Sequence, residues 1–428
     1  MKEPKKSLLG AISFTFAANW VALGFRLALS VLVFRFLGAS ARGDYSVAVA
    51  FSTIAGSAMQ LGIPGNVPYL FQKRRYSKSE LHVAAWILPV LFVGLSLAFG
   101  MMFQQTTEKV LHYVLGTEVK TMAWAIALTL LVPPIAVATA AAAATSKVRS
   151  LVVLNAGSAG LTLVLSALLG VFGVLTIKTL LAATFSSQAL GLIITYVSDH
   201  REPWRRYPHW SRRKRYLALF RHGTSGSLNM IIQLVFKRMD ILIVNRLIGS
   251  EAAGVYAISQ HFQECILSVP RSSLGLVIGH LSHLKPAQAL ARYNEIAWKY
   301  GLGFAALAIV GAPMAALATY WMVDVSEFNA TGLSAAMLVG GCLQAYAIIL
   351  QSIYFAFGDL RWITSTTTLS AIVFIGVSFL FVRYLGLIAL PTGFGMSAVA
   401  AALMLWSGRR RCVSNGVSAR TQPVAPVA

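Results

Sequence analysis

The ionisable side chains that interrupt long apolar stretches are where chemistry is to be sought first. The segment SLNMIIQLVFKRMDILIVNRLIG, residues 227–249, carries Lys237, Arg238 and Asp240 near its middle. Arg26, Glu264 and Arg271 interrupt other apolar stretches in the same way. A Lys or Arg at the centre of a membrane-crossing helix costs about 2.5–3.5 kcal/mol on insertion scales, so it turns toward a helix bundle or a wet cavity. Four deep cations (Arg26, Lys237, Arg238, Arg271) face two acids at similar depth (Asp240, Glu264), an excess of two positive charges that internal pairing cannot neutralise. Asp240 is expected to hold Lys237 or Arg238 in place, and the surplus cations to bind an anion. Arginine brings a forked donor set to that task and lysine a compact charge.

Helical spacing indicates where these groups point. Asn229, Gln233, Lys237 and Asp240 recur at intervals of three or four residues and share one helix face. Thr15, Asn19, Arg26 and Ser30 form a similar stripe, and Gln260, Glu264, Ser268 and Arg271 a third. Three polar stripes on three apolar helices predict a shared aqueous cavity lined by Asn19, Asn229, Gln233 and Gln260. The plainer alternative is that they glue helices together, with Lys237–Asp240 and Glu264–Arg271 as local ion pairs. That alternative is weaker for Arg26 and Arg238, which have no acid within helical reach. Glu264, with His261 one turn away, is the candidate for coupling to a proton or sodium ion.

The elements that position these residues follow from composition. The chain has 428 residues, of which 57% are hydrophobic and 12% charged, with a mean hydropathy of +0.69. A soluble domain carries about twice that charge fraction. A helix needs about 20 apolar residues to cross the hydrocarbon core. The sequence predicts an all-α, polytopic membrane protein with twelve spans, at 9–36, 44–64, 80–102, 121–144, 150–170, 174–197, 223–248, 252–280, 294–319, 331–356, 362–383 and 386–406. The first apolar run continues without a small-residue cleavage site, which predicts an uncleaved first helix. With the N-terminus inside, 25 of the 36 Lys and Arg fall on inner segments and 5 on outer ones, which places both termini in the cytoplasm. That asymmetry accounts for most of the net charge of +22 and removes the need for a nucleic-acid partner. Loop 199–222 is the most basic stretch and reads as an anchor on anionic headgroups. Cys265, Cys342 and Cys412 suggest no disulfide framework.

An internal repeat organises the spans. RFLGASARGDY (35–45) and RLIGSEAAGVY (246–256) share R-x-x-G-x4-G-x-Y at an offset of 211 residues, and the same offset pairs Arg26 with Lys237. An even number of spans separates the copies, so the halves share one orientation, a parallel repeat. The expected division is an N-terminal lobe at 1–198, a basic cytoplasmic loop at 199–222, a C-terminal lobe at 223–406, and a basic, disordered cytoplasmic tail at 407–428.

These stretches, with KRMDILIVNRLIGSEAAGVYAISQ (237–260), resemble the polysaccharide-exporter branch of the multidrug/oligosaccharidyl-lipid/polysaccharide superfamily, to which Wzx-type O-antigen and exopolysaccharide flippases belong. The resemblance implies two six-helix lobes around a central cavity. It implies transport of a polyprenyl-diphosphate-linked oligosaccharide from the inner to the outer leaflet of a bacterial inner membrane. Arg26, Lys237, Arg238 and Arg271 would meet the diphosphate. No nucleotide use is expected, since no Walker-type loop is visible, and no cofactor, metal or catalytic residue is assigned. The expected partners are the lipid-linked oligosaccharide, membrane lipids and the polymerase and glycosyltransferases of the same pathway, with the chain itself a monomer. Two alternatives are a multidrug exporter of the same superfamily, which would carry deep acids for cations, and a membrane polymerase or ligase. The longest outer loop, 103–121, is short for such an enzyme. A lipid II flippase relative would be expected to carry two further C-terminal spans.

Overall fold

The computed structural model describes residues 8–60, 86–87, 89–91, 93–95, 119–144, 148–199, 238–282, 284–323, 328–357 and 359–421. A chain this apolar must satisfy every backbone N–H and C=O internally once it enters lipid, and a helix does so within one segment. Helices accordingly account for the regular structure among the described residues. In order these are α1 (Leu8–Met59), α2 (Val119–Ala144), α3 (Val148–Val152), a π-helical turn at Val153–Gly157, α4 (Ser158–Val171) and α5 (Ile177–Asp199). Helical residues 238–247 precede α6 (Ser250–Ser282). Then come α7 (Pro286–Met322), α8 (Ala330–Leu350), α9 (Ser352–Phe357), α10 (Leu360–Leu385) and α11 (Ala389–Thr421).

Seven helical stretches among the described residues are long and apolar enough to cross a membrane. Two of them, Ala17–Met59 and Arg361–Val413, are 43 and 53 residues long; the first covers most of the expected spans 9–36 and 44–64, and the second contains 362–383 and 386–406. The stretches Ala123–Ala142, Arg149–Val171, Ile177–Ser198, Ala287–Met322 and Ala330–Phe357 each contain most of a single expected span. Expected span 252–280 falls within α6, which is not among these seven stretches. Expected spans 80–102 and 223–248 lie largely outside the described residues, as does the basic loop from residue 200 onward. Pro133 and Pro134 in α2, Pro270 in α6 and Pro313 in α7 are accommodated inside continuing helices.

The chain forms two compact units, Met1–Ile258 and Ser259–Ala428, with the boundary inside α6. The first packs Leu29, Val33 and Val47 of α1 against Leu128 of α2 and Leu180 and Leu181 of α5. In lipid such contacts are held by close van der Waals packing rather than by expulsion of water, which favours small residues at crossings. In the second unit Leu350, Ile353, Tyr354, Leu405 and Cys412 pack round Tyr293. The Tyr293 hydroxyl donates to the Leu350 carbonyl at 3.1 Å. Phe374 of α10 and Phe394 of α11 stack at 4.3 Å between centroids.

The C-terminal segment differs from the sequence expectation. Helix α11 runs on to Thr421, where the sequence predicts a disordered tail. Cys412 and Val413 are buried in the Tyr293 cluster, and the Arg409 guanidinium lies 3.7 Å over the Trp406 ring. Cys412 follows Leu405 by two helical turns, so it extends the same apolar face.

Candidate anion-binding site

Arg26 and Asn19 stand two turns apart on α1, with Arg26 exposed and Asn19 half-buried. The Asn19 Oδ1 accepts a hydrogen bond from Asn155 Nδ2 at 3.3 Å. Asn155 sits in the π-helical turn Val153–Gly157. Single π-helical turns inside α-helices re-aim a side chain and are frequent at functional sites.

Arg238 is half-buried at the start of helical residues 238–247, and Lys237, Asn229 and Gln233 lie outside the described residues. Asp240 is fully buried. Its Oδ2 accepts from the Tyr256 hydroxyl at 2.7 Å and its Oδ1 from the Ile241 amide at 2.7 Å. Arg238 lies within electrostatic reach of Tyr256 in the same pair.

On α6, in the second unit, Arg271 is exposed, Gln260 is buried and Glu264 is half-buried. The His261 Nδ1 is 3.8 Å from Glu264 Oε2, beyond direct hydrogen-bond distance. Gln263, absent from the predicted stripe, is buried and donates to Gln344 Oε1 of α8 at 3.1 Å. The hydroxyls of Ser259 and Ser334 are 2.9 Å apart, and Thr319 donates to Ser334 at 2.7 Å. Hydroxyls and amides of this kind tie membrane helices together.

A further cation is Arg42, which the charge count places among the five on outer segments. The structure buries Arg42 inside α1, 6% exposed. Its Nη1 donates to Ser46 Oγ at 2.6 Å and its Nη2 to Ser30 Oγ at 2.7 Å. The guanidinium also lies 5.3 Å from the centre of the Tyr45 ring.

The backbone around the repeated pattern is distinctive in both copies. Gly38 interrupts α1 with φ 86° and ψ 173°, and Gly249, 211 residues later, has φ 125°. Both values lie where a side chain is strained and glycine is not. Gly43 and Gly254 lie at the crossing of the helices that follow. A Cβ on Gly43 would stand 1.8 Å from the Ser250 carbonyl oxygen, and one on Gly254 would stand 2.0 Å from that of Ala39. The hydroxyls of Ser40 and Ser250 are 2.7 Å apart across the same crossing. Among the described residues no group of three His, Cys, Asp or Glu could hold a metal ion.

The profile of a family described as polysaccharide biosynthesis protein matches residues 32–325. No curated protein matches the sequence. The fold is shared with solved transporters. An inward-facing multidrug resistance MATE family transporter of the MOP superfamily aligns with a TM-score of 0.69 at 14% identity, covering 94% of this chain and 96% of that one. The lipid II flippase MurJ, in an inward closed conformation, aligns at 0.66 and 13%, covering 96% and 93%. A MOP superfamily transporter from Pyrococcus furiosus, described as having a binding pocket of reversed polarity, aligns at 0.58 and 13%, covering 95% and 96%.

Proposed function

This chain belongs to the polysaccharide biosynthesis protein family, and from that premise we propose that it moves a polyprenyl-diphosphate-linked oligosaccharide from the inner to the outer leaflet of the plasma membrane. The observation that carries this reading is the contrast between cation and acid in the first unit. Arg26 is exposed and Arg238 half-buried, whereas Asp240 is closed off, with both oxygens accepting hydrogen bonds from Tyr256 and Ile241. At these three residues the cations are thus more accessible than the acid, which suits an anionic headgroup better than a cationic drug. Arg26, Lys237 and Arg238 are the residues assigned to the diphosphate. Arg271 is a further anion contact, and Glu264 the coupling candidate, in the second unit.

The direction of transport fits the membrane field. Moving one negative charge outward across an inside-negative membrane releases about 2.3 kcal/mol per 100 mV, so export of an anion needs no nucleotide. The lipid II flippase shows that this fold serves a lipid-linked substrate in another protein.

The test uses a cell lacking its own exporter. Arg26→Gln and Lys237→Gln, singly and together, should insert normally and leave lipid-linked intermediate on the inner leaflet, because each removes charge at similar length. Arg26→Lys should retain part of the activity, since it keeps the charge and loses the fork. Normal export by a well-expressed double variant would return both residues to helix packing.

A further inference from the structure

Each half of the repeated pattern places a glycine break between a turn bearing a candidate substrate cation and the helix that follows. A break of this kind is a flexible joint unless something spans it. In the first copy something does. Arg42, four residues beyond Gly38, donates across the break to Ser30, and Ser30 in turn donates to the Arg26 carbonyl at 2.9 Å. Arg42 is also tied to its own side of the break through Ser46. In the second copy a different pair spans the joint. Tyr256, seven residues beyond Gly249, donates across it to Asp240, two residues after Arg238. The Asp240 carboxylate is fixed at its own end by the Ile241 amide. Arg42, Ser30, Asp240 and Tyr256 are all buried.

The chemistry of the two spans is unrelated, since Arg42 and Ser30 stand 211 residues before Ala253 and Ile241. Their placement is the same: each starts beyond the positive-φ glycine and ends on the turn of the cation. A buried arginine and a buried carboxylate are costly to keep without partners, and each is compensated by oriented hydrogen bonds.

We propose that Arg42 and Asp240 are positioning residues, each a rigid brace across a glycine break that fixes the turn presenting Arg26 or Arg238 to the anionic substrate. The proposal rests on the anion-export reading for its consequence and on geometry alone for the brace. It gives Asp240 a role distinct from neutralising a neighbouring cation, and the two roles predict different variants.

A brace needs the hydrogen bond and tolerates loss of the charge. In Asp240→Asn the Oδ1 can still accept from Ile241, while Nδ2 can donate to a reversed Tyr256 hydroxyl. Asp240→Asn should therefore retain more transport than Asp240→Leu. Asp240→Leu and Tyr256→Phe should each reduce it by about fivefold to tenfold, the effect of one lost buried hydrogen bond. Arg42→Met should do likewise, with partial recovery in Arg42→Lys. Rates are compared per inserted molecule.

A second measurement is independent of transport. In a chain with its three native cysteines replaced by Ala, Ser40→Cys and Ser250→Cys are oxidised to a disulfide across the crossing that follows both breaks. Asp240→Leu, Tyr256→Phe and Arg42→Met should slow that cross-link, and Asp240→Asn should not. Unchanged cross-linking in all three brace variants overturns the proposal, as does equal damage from Asp240→Asn and Asp240→Leu. If cross-linking responds as stated while even the native chain delivers no lipid-linked sugar, the brace stands and the export reading falls.

Discussion

At the scale of single residues, glycine divides into positions that permit a close approach and positions that do not. Gly254→Ala would drive a methyl carbon to 2.0 Å from a backbone oxygen, and Gly43→Ala to 1.8 Å. Backbone cannot rotate out of the way, so each should lower stability by about 1–3 kcal/mol. Gly24→Ala meets nothing within 4 Å and lies in a helix interior, so it should be neutral or slightly stabilising. Thermal unfolding of the purified protein in detergent separates the three. The glycines of the repeat were legible in the sequence because their spacing recurs at one offset. Their backbone conformation was not, because a glycine at a crossing and a glycine at a break look alike in a string. Arg42 was illegible for a different reason. A lone arginine among small polar residues reads as a loop until the helix is seen to resume beyond Gly38 and carry it inward. Asp240 was recognised as a buried acid, but Tyr256, its hydrogen-bond donor sixteen residues away, entered the sequence reading only as a member of the repeat.

At the scale of elements, apolar length made the helices readable, since a run of about 20 apolar residues has one stable form in lipid. Polarity misled at the far end. Residues 407–428 are basic and rich in small polar side chains, which hides the continuation of one apolar stripe from Leu405 to Cys412. Helix α11 follows that stripe. Cys412→Asp should therefore lower the stability of the second unit by about 2 kcal/mol or more, because it buries an unpaired charge against Tyr293 and Tyr354. A silent substitution, measured as an unchanged thermal midpoint, would mean that the segment leaves the bundle before Cys412.

At the scale of the whole molecule, the family match and seven helical stretches of membrane-crossing length among the described residues mark a multi-pass membrane protein of the polysaccharide biosynthesis protein family. We propose from the positive-charge asymmetry that both termini lie in the cytoplasm. A cysteine at Ser211 should react with permeant thiol reagents alone, and one at Thr107 with impermeant reagents as well; the reverse pattern would invert the orientation. The central claim is that a cationic path carries a lipid-linked anion. It is tested most directly with purified protein in vesicles holding a polyprenyl-diphosphate-linked oligosaccharide, where translocation is read by exposure of the sugar to an added glycosidase. The account predicts exposure that accelerates when the potential draws negative charge toward the outside, and none beyond background for a neutral polyprenyl glycoside. Equal rates for the charged and neutral lipids, or transport confined to a cationic drug, would contradict it.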